Sequence, residues 1–123
     1  MKIKNILKLA GIPQDVVDFY KLHNRLDEEV KSIDDMEISN LVKVLRCLSN
    51  PIRLKLLILL KKPHCVCVLS KILNVDITLI SHHLAKLKEC GLVKVVPHAR
   101  ARVYERNNSA VADFIRKLTN LLK

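Results

Sequence analysis

Residues 77–91 read ITLISHHLAKLKECG. Ile77, Ile80, Leu84 and Leu87 recur at spacings of 3, 4 and 3, which sets them on one stripe of a helix. Thr78, Ser81, His82, Ala85 and Lys88 fall opposite, with Lys86 on the flank, and no acidic residue joins that face before Glu89. Hydroxyls and an imidazole can hydrogen-bond base edges, an alanine methyl can meet thymine, and lysines suit phosphates. His83 falls nearer the apolar side and reads as a packed or helix-stabilising histidine. Gly91 supplies the left-handed terminator. A merely solvated polar face has the same pattern, so the flanking segments decide between the two.

On the C-terminal side, LVKVVPHARARVYER (92–106) holds two β-rich runs, Leu92–Val96 and Ala101–Glu105, around a basic turn. That is a hairpin, with Arg100 and Arg102 projecting from it and Lys94 and Arg106 flanking. On the N-terminal side, HCVCVLSKILN (64–74) reads as a short helix with Val66, Leu69, Ile72 and Leu73 inward. Asn74-Val75-Asp76 is a turn ending in a cap. Short helix, tight turn, second helix and basic hairpin form the winged helix-turn-helix, whose second helix enters the major groove.

Further upstream, SNP at 49–51 ends one helix and starts the next, with Asn50 as cap and Pro51 in the first helical position. That next helix, to about Lys62, is apolar on most sides (Leu54, Leu56, Leu57, Leu59, Leu60) and is predicted central and buried. Before it, Asp34, Asp35 and Glu37 suit the start of a helix through Ile38, Leu41, Val42, Leu45 and Leu48. Residues 14–31 carry Val16, Phe19, Tyr20, Leu26 and Val30 near helical spacing, behind Pro13. A last helix, capped by Asn108 or Ser109, has the stripe Val111, Phe114, Ile115, Leu118 and Leu122. The helix-turn-helix core has little room for both terminal stripes, so they are predicted to pair across a two-fold axis in a homodimer. The expected fold is mainly α with a small β-hairpin (α+β). It forms a single domain, 1–123: an N-terminal dimerisation segment (1–36), a winged-helix core (37–108) and a C-terminal dimerisation helix (109–123).

The 123 residues carry a formal net charge of +10, unevenly spread. Residues 1–40 hold six basic and eight acidic side chains, 41–75 hold seven basic and none acidic, and 76–123 hold nine against four. A basic body behind a slightly acidic N-terminal segment points to a polyanion, with a double-stranded DNA operator the first expectation. The N-terminal stretch lacks the apolar core of a secretory signal, and the longest apolar run, Leu56–Leu60, is too short to span a bilayer. A cytoplasmic protein without a membrane partner is expected.

Four cysteines, Cys47, Cys65, Cys67 and Cys90, are too few for a disulfide scaffold. In a regular helix, residues i and i+2 point about 200° apart. Cys65 then faces the core and Cys67 is exposed. The two can hold one ion only if the first turn unwinds or if they occupy irregular backbone just after Pro63. A helix N-terminus with Lys61, Lys62 and Lys71 nearby favours a thiolate at Cys67. A thiophilic ion, a redox switch and plain packing are all compatible with the pair, whereas Cys47 and Cys90 read as packing cysteines. No thioredoxin-like frame and no nucleophile–base–acid set points to an enzyme, and no organic cofactor is expected.

LSNPIRLKLLILL, HCVCVLSKILNVDITLISHHLAKLKECGLVKV and ARVYER, in that order, resemble the ArsR/SmtB family of metal- and metalloid-responsive repressors over residues 40–108. The resemblance implies a homodimeric winged-helix repressor that leaves its operator when a thiophilic ion (arsenite, Zn, Cd or Cu(I)) binds. Thr78, Ser81 and His82 would face the groove, and Cys65 and Cys67 would be sensing thiolates, with His64 or a further thiol completing the shell. Ser70 stands where arsenical sensors often have another Cys, and Val68 where an acidic residue is frequent. The wing tip lacks the usual Gly, and the last helix lacks the family's zinc-binding pattern.

Overall fold

The computed structural model describes all 123 residues, which group into two compact units, Met1–Asp35 and Met36–Lys123. The first contains α1 (Ile3–Ile6) and α2 (Gln14–Leu22). Its two ends are joined by a bridge between Lys2 and Glu29, with Ile3 N–H donating to Glu28 O and Lys4 N–H to Leu26 O. The helix expected over 14–31 stops at Leu22. Asn24 enters the left-handed region (φ 53°), and Arg25 N–H turns back to Tyr20 O at 2.9 Å, a helix-ending arrangement that asparagine tolerates better than most residues. Arg25 then lies over the Tyr20 ring and pairs with Glu28 at 2.7 Å, fixing the return strand of chain.

The second unit is the winged helix. It begins with α3 (Asp35–Leu48) and α4 (Pro51–Leu59), and Asn50 caps α4 by accepting from Ile52 and Arg53 N–H. β1 (His64–Cys65) leads into α5 (Val66–Leu73), and α6 (Ile77–Glu89) follows the turn. β2 (Val93–His98), β3 (Ala101–Arg106) and α7 (Asn108–Leu122) complete it. The fold is therefore mainly α with a small antiparallel sheet, as the pattern required. The sheet has three strands, in the order β1-β3-β2, where the sequence suggested two. His64 and Cys65 were expected to open a helix. They run extended instead, His64 opposite Tyr104 and Cys65 opposite Val103, because the hairpin offers them a free edge.

The core gathers Leu56, Leu57 and Leu60 from α4 with Val66 and Leu69 from α5. Ile80, Leu84 and Leu87 of α6, Leu92 and Val93 at the start of the hairpin, and Tyr104 complete it. Burying seven aliphatic side chains almost fully, at about 1.5–3 kcal/mol each, is the main force holding α6 in place. Three expectations need correction. α4 is not buried all round, since Leu54 and Ile58 are exposed. Ile72 and Ile77 lie outside the inward stripes and are exposed as well. The cap of α7 is Asn107, whose Oδ1 accepts from Ala110 N–H, one residue earlier than predicted. No residue of α7 is fully buried: Val111, Phe114 and Leu118 are half-buried, and Ile115 and Leu122 are exposed. No helix is long and apolar enough to cross a membrane.

Candidate nucleic-acid interface and thiol pair

The turn before α6 is built from local hydrogen bonds. Asn74 takes the left-handed conformation (φ 51°) that ends α5, and Ser70 Oγ donates to Val75 O at 2.6 Å. Asp76 then caps α6 by accepting from Thr78 N–H at 3.0 Å. With its apolar stripe sealed in the core, α6 presents Thr78, His82, Ala85 and Lys88 to solvent and leaves Ser81 and Lys86 half-buried. Lys86 pairs with Glu89 at 3.6 Å. His83 is buried, and its Nδ1 accepts from Arg53 Nε at 3.0 Å. Burial, then the Arg53 charge and then His82 push the His83 pKa down, so the imidazole is held neutral. Arg53 also reaches Cys47 O with Nη1 at 3.5 Å, which ties the end of α3 to the inner face of α6. The role of Arg53 was missed from sequence, though an arginine inside a leucine-rich helix is the signal that could have found it.

The hairpin turns at Ala99 and Arg100, between the paired residues His98 and Ala101. Arg100 and Arg102 are exposed there. Arg102 Nη1 donates to Ser81 Oγ at 3.2 Å, so the hairpin is bonded directly to the polar face of α6. Lys94 pairs with Glu105 across the strands. Arg106, expected to flank the wing, points inward: its Nη1 meets Leu57 O, its Nε meets Asn108, and its amide donates to Leu60 O at 2.7 Å. That hydrogen bonding fixes it to the end of α4 and takes it out of the polar face.

Cys65 is the residue before α5, with extended backbone (φ −75°, ψ 145°), and Cys67 lies in the first turn. The two sulfurs stand 3.1 Å apart and both cysteines are free. This corrects the helical projection that sent the side chains to opposite faces and agrees with the other arrangement, non-helical backbone just after Pro63. Because Cys65 is outside the helix, the thiols meet without unwinding it. The polarity of the pair is also the reverse of expectation. The two sulfurs hydrogen-bond each other, either serving as donor, and that bond lowers the Cys65 pKa and raises that of Cys67. The amides of Cys67 and Val68 and the Arg102 backbone lower Cys65 further, though no capping bond of normal length forms. Cys65 is half-buried and Cys67 exposed. Soft thiolates brought this close suit a thiophilic ion. No group of three or more His, Cys, Asp or Glu is gathered to hold a metal, so His64, in β1 opposite Tyr104, does not join the thiols in a preformed set.

Residues 50–95 match the family model described as bacterial regulatory protein, arsR family. Among solved structures, an ArsR-like transcriptional regulator from Rhodococcus sp. RHA1 is similar at 27% identity and TM-score 0.63, over 68% of this chain and 80% of that one. A "possible transcriptional regulator for arsenical resistance" is similar at 29% identity and TM-score 0.57, over 63% of this chain and 81% of that one. The homodimeric winged helix-turn-helix DNA-binding domain of a Mycobacterium bovis protein shares the fold at 21% identity and TM-score 0.59, over 76% and 89%. No curated protein matches the sequence.

Proposed function

We propose that this chain, whose residues 50–95 match the arsR family model, is a DNA-binding transcriptional regulator: a homodimeric cytoplasmic repressor released from its operator by a thiophilic ion at Cys65 and Cys67. The observation that carries the reading is the 3.1 Å approach of the two sulfurs at the edge of the sheet that also forms the wing. Thr78, Ser81, His82 and Ala85 contact base edges, while Lys86, Lys88, Arg100 and Arg102 contact phosphates. Arsenite, Cd, Zn and Cu(I) are the candidate effectors, with His64 or an exogenous thiol completing the shell. Binding displaces the thiol protons, so it strengthens as pH rises.

The route to the reading face is short. Cys65 is paired with Val103, and the next residue, Arg102, holds Ser81. Seating an ion between the two sulfurs, which must part to admit it, shifts β1 against β3 and loosens that grip, without the helix distortion that a regular α5 would have demanded. A coupling of about 1–3 kcal/mol, or roughly 5- to 150-fold in affinity, is typical of such linkage. The test is an operator titration with and without cadmium, with thiolate–cadmium absorbance followed in parallel. Cys65→Ser and Cys67→Ser are expected to keep DNA affinity, lose the absorbance and lose release. A double variant that still responds to every ion the wild type senses would show that these cysteines only pack. A redox reading is favoured by the same sulfur–sulfur approach, and peroxide in place of cadmium distinguishes it.

A further inference from the structure

Cys47 and Cys90 take no part in the function proposed above, yet they too form a pair. Cys47, near the end of α3, is buried, and Cys90, the residue that ends α6, is half-buried. They meet at one backbone oxygen. The Cys47 thiol donates to Lys86 O at 3.6 Å, and Cys90 N–H donates to the same oxygen at 3.2 Å. Burial first, and then the neighbouring Cys90 thiol, push the Cys47 pKa up to about 12. On its outer side Cys90 lines an open cleft of about 430 Å³ with Lys43, Arg46 and Glu89. One thiol thus reaches solvent beside two cations, and the other sits sequestered behind it.

We propose that Cys47 and Cys90 are a second, redox-active thiol pair, oxidised by a small peroxide to a disulfide that ties the end of the reading helix to α3. The Cys90 sulfur attacks one peroxide oxygen, the O–O bond breaks, and Cys90 becomes a sulfenic acid while one water leaves. The Cys47 sulfur then attacks the sulfenic sulfur. The S–O bond breaks, and the departing hydroxide carries off the Cys47 proton as a second water. Two thiols and one hydrogen peroxide give one disulfide and two waters, and a dithiol reductant reverses the change. The order follows from access: peroxide reaches the half-buried Cys90 from the cleft, whereas Cys47 is buried behind it. Closing the chain between α3 and α6 restricts the unfolded ensemble, so the oxidised protein melts higher.

The experiment uses the full chain carrying Cys65→Ser and Cys67→Ser, treated with hydrogen peroxide. Expected are joint loss of both remaining thiols, full recovery with dithiothreitol, a single proteolytic peptide linking Cys47 to Cys90, and a raised Tm. Adding Cys47→Ser should leave Cys90 as a sulfenic acid that dimedone labels, whereas adding Cys90→Ser should leave Cys47 unreacted. Persisting thiols, a Cys90–Cys90 link between chains, or oxidation that dithiothreitol cannot reverse would overturn the proposal. Should the multiple variants fold poorly, the same linked peptide is sought in oxidised wild type, where its absence has the same force.

Discussion

At the scale of single residues, His83 and Arg53 show how a polar contact can serve the reading helix from behind. The neutral imidazole accepts from Arg53 Nε, and a proton on Nδ1 would set two cations against each other in a buried place. The folded-state pKa of His83 is lowered, so below the ordinary histidine value of about 6.5 the unfolded chain takes up a proton that the folded one refuses. Its contribution to stability is therefore present above that pH and lost as pH falls through about 6.5 towards the folded value. Thermal melts across that range should show Tm dropping on acidification, and His83→Gln, which keeps an acceptor, should flatten the drop. An unchanged slope in His83→Gln would locate the acid sensitivity elsewhere. The inward lean of His83 was legible in the helical count, because its angle to Ile80, Leu84 and Leu87 is fixed by the period. The thiol geometry was legible only as one of two alternatives, irregular backbone just after Pro63. The count assumed that Cys65 already belonged to a helix, and a tertiary interaction, strand pairing with Val103, put it outside.

At the scale of elements, the helix-turn-helix could be read because each boundary has a local chemical cause: Asn50, Asp76 and Gly91 act through their own side chain or backbone. The elements that escaped are those set by distant partners. β1 exists only because β3 has an edge to offer, and the link between wing and reading helix depends on residues 21 apart in sequence. That link revises how the reading residues should respond to substitution. His82→Ala should relax sequence preference, at about 1–3 kcal/mol if it removes a good base contact, whereas Arg100→Ala should weaken all sequences alike and lower the salt slope. Ser81→Ala and Arg102→Ala should be non-additive in a double-mutant cycle of operator affinity, because the two side chains are bonded to each other. Strict additivity would mean that the wing and the helix act separately.

At the scale of the whole molecule, apolar surface is left over on several elements. In the second unit, Leu54 and Ile58 of α4 and Ile115 and Leu122 of α7 are exposed, and the inner stripe of α7 is only half-covered. A second copy of the chain is the occupant expected from the length of that stripe. Phe114→Glu or Leu118→Glu should yield monomers with weak operator binding, and a wild type that sediments as a monomer at micromolar concentration would contradict the homodimer. The sequence made the surplus visible but overstated the length of the N-terminal helix, since α2 ends at Leu22 where Asn24 reverses the chain; Phe19, Leu22 and Val30 of that segment are nonetheless exposed.

One strand, β3, pairs with the thiol-bearing β1 on one side and with β2 on the other. Along it, Val103 faces Cys65 and Val96, while Tyr104 faces His64 and Val95 and is buried. A strand shared in this way tolerates insertions and deletions poorly. Removing or adding one residue would turn Tyr104 out of the core, since strand side chains alternate faces. The same change would carry Cys65 to a new partner and move Arg102 away from Ser81. Length variation among descendants of this sequence should therefore collect at the Ala99–Arg100 tip, while the six residues of β3 keep their number even where their identities drift.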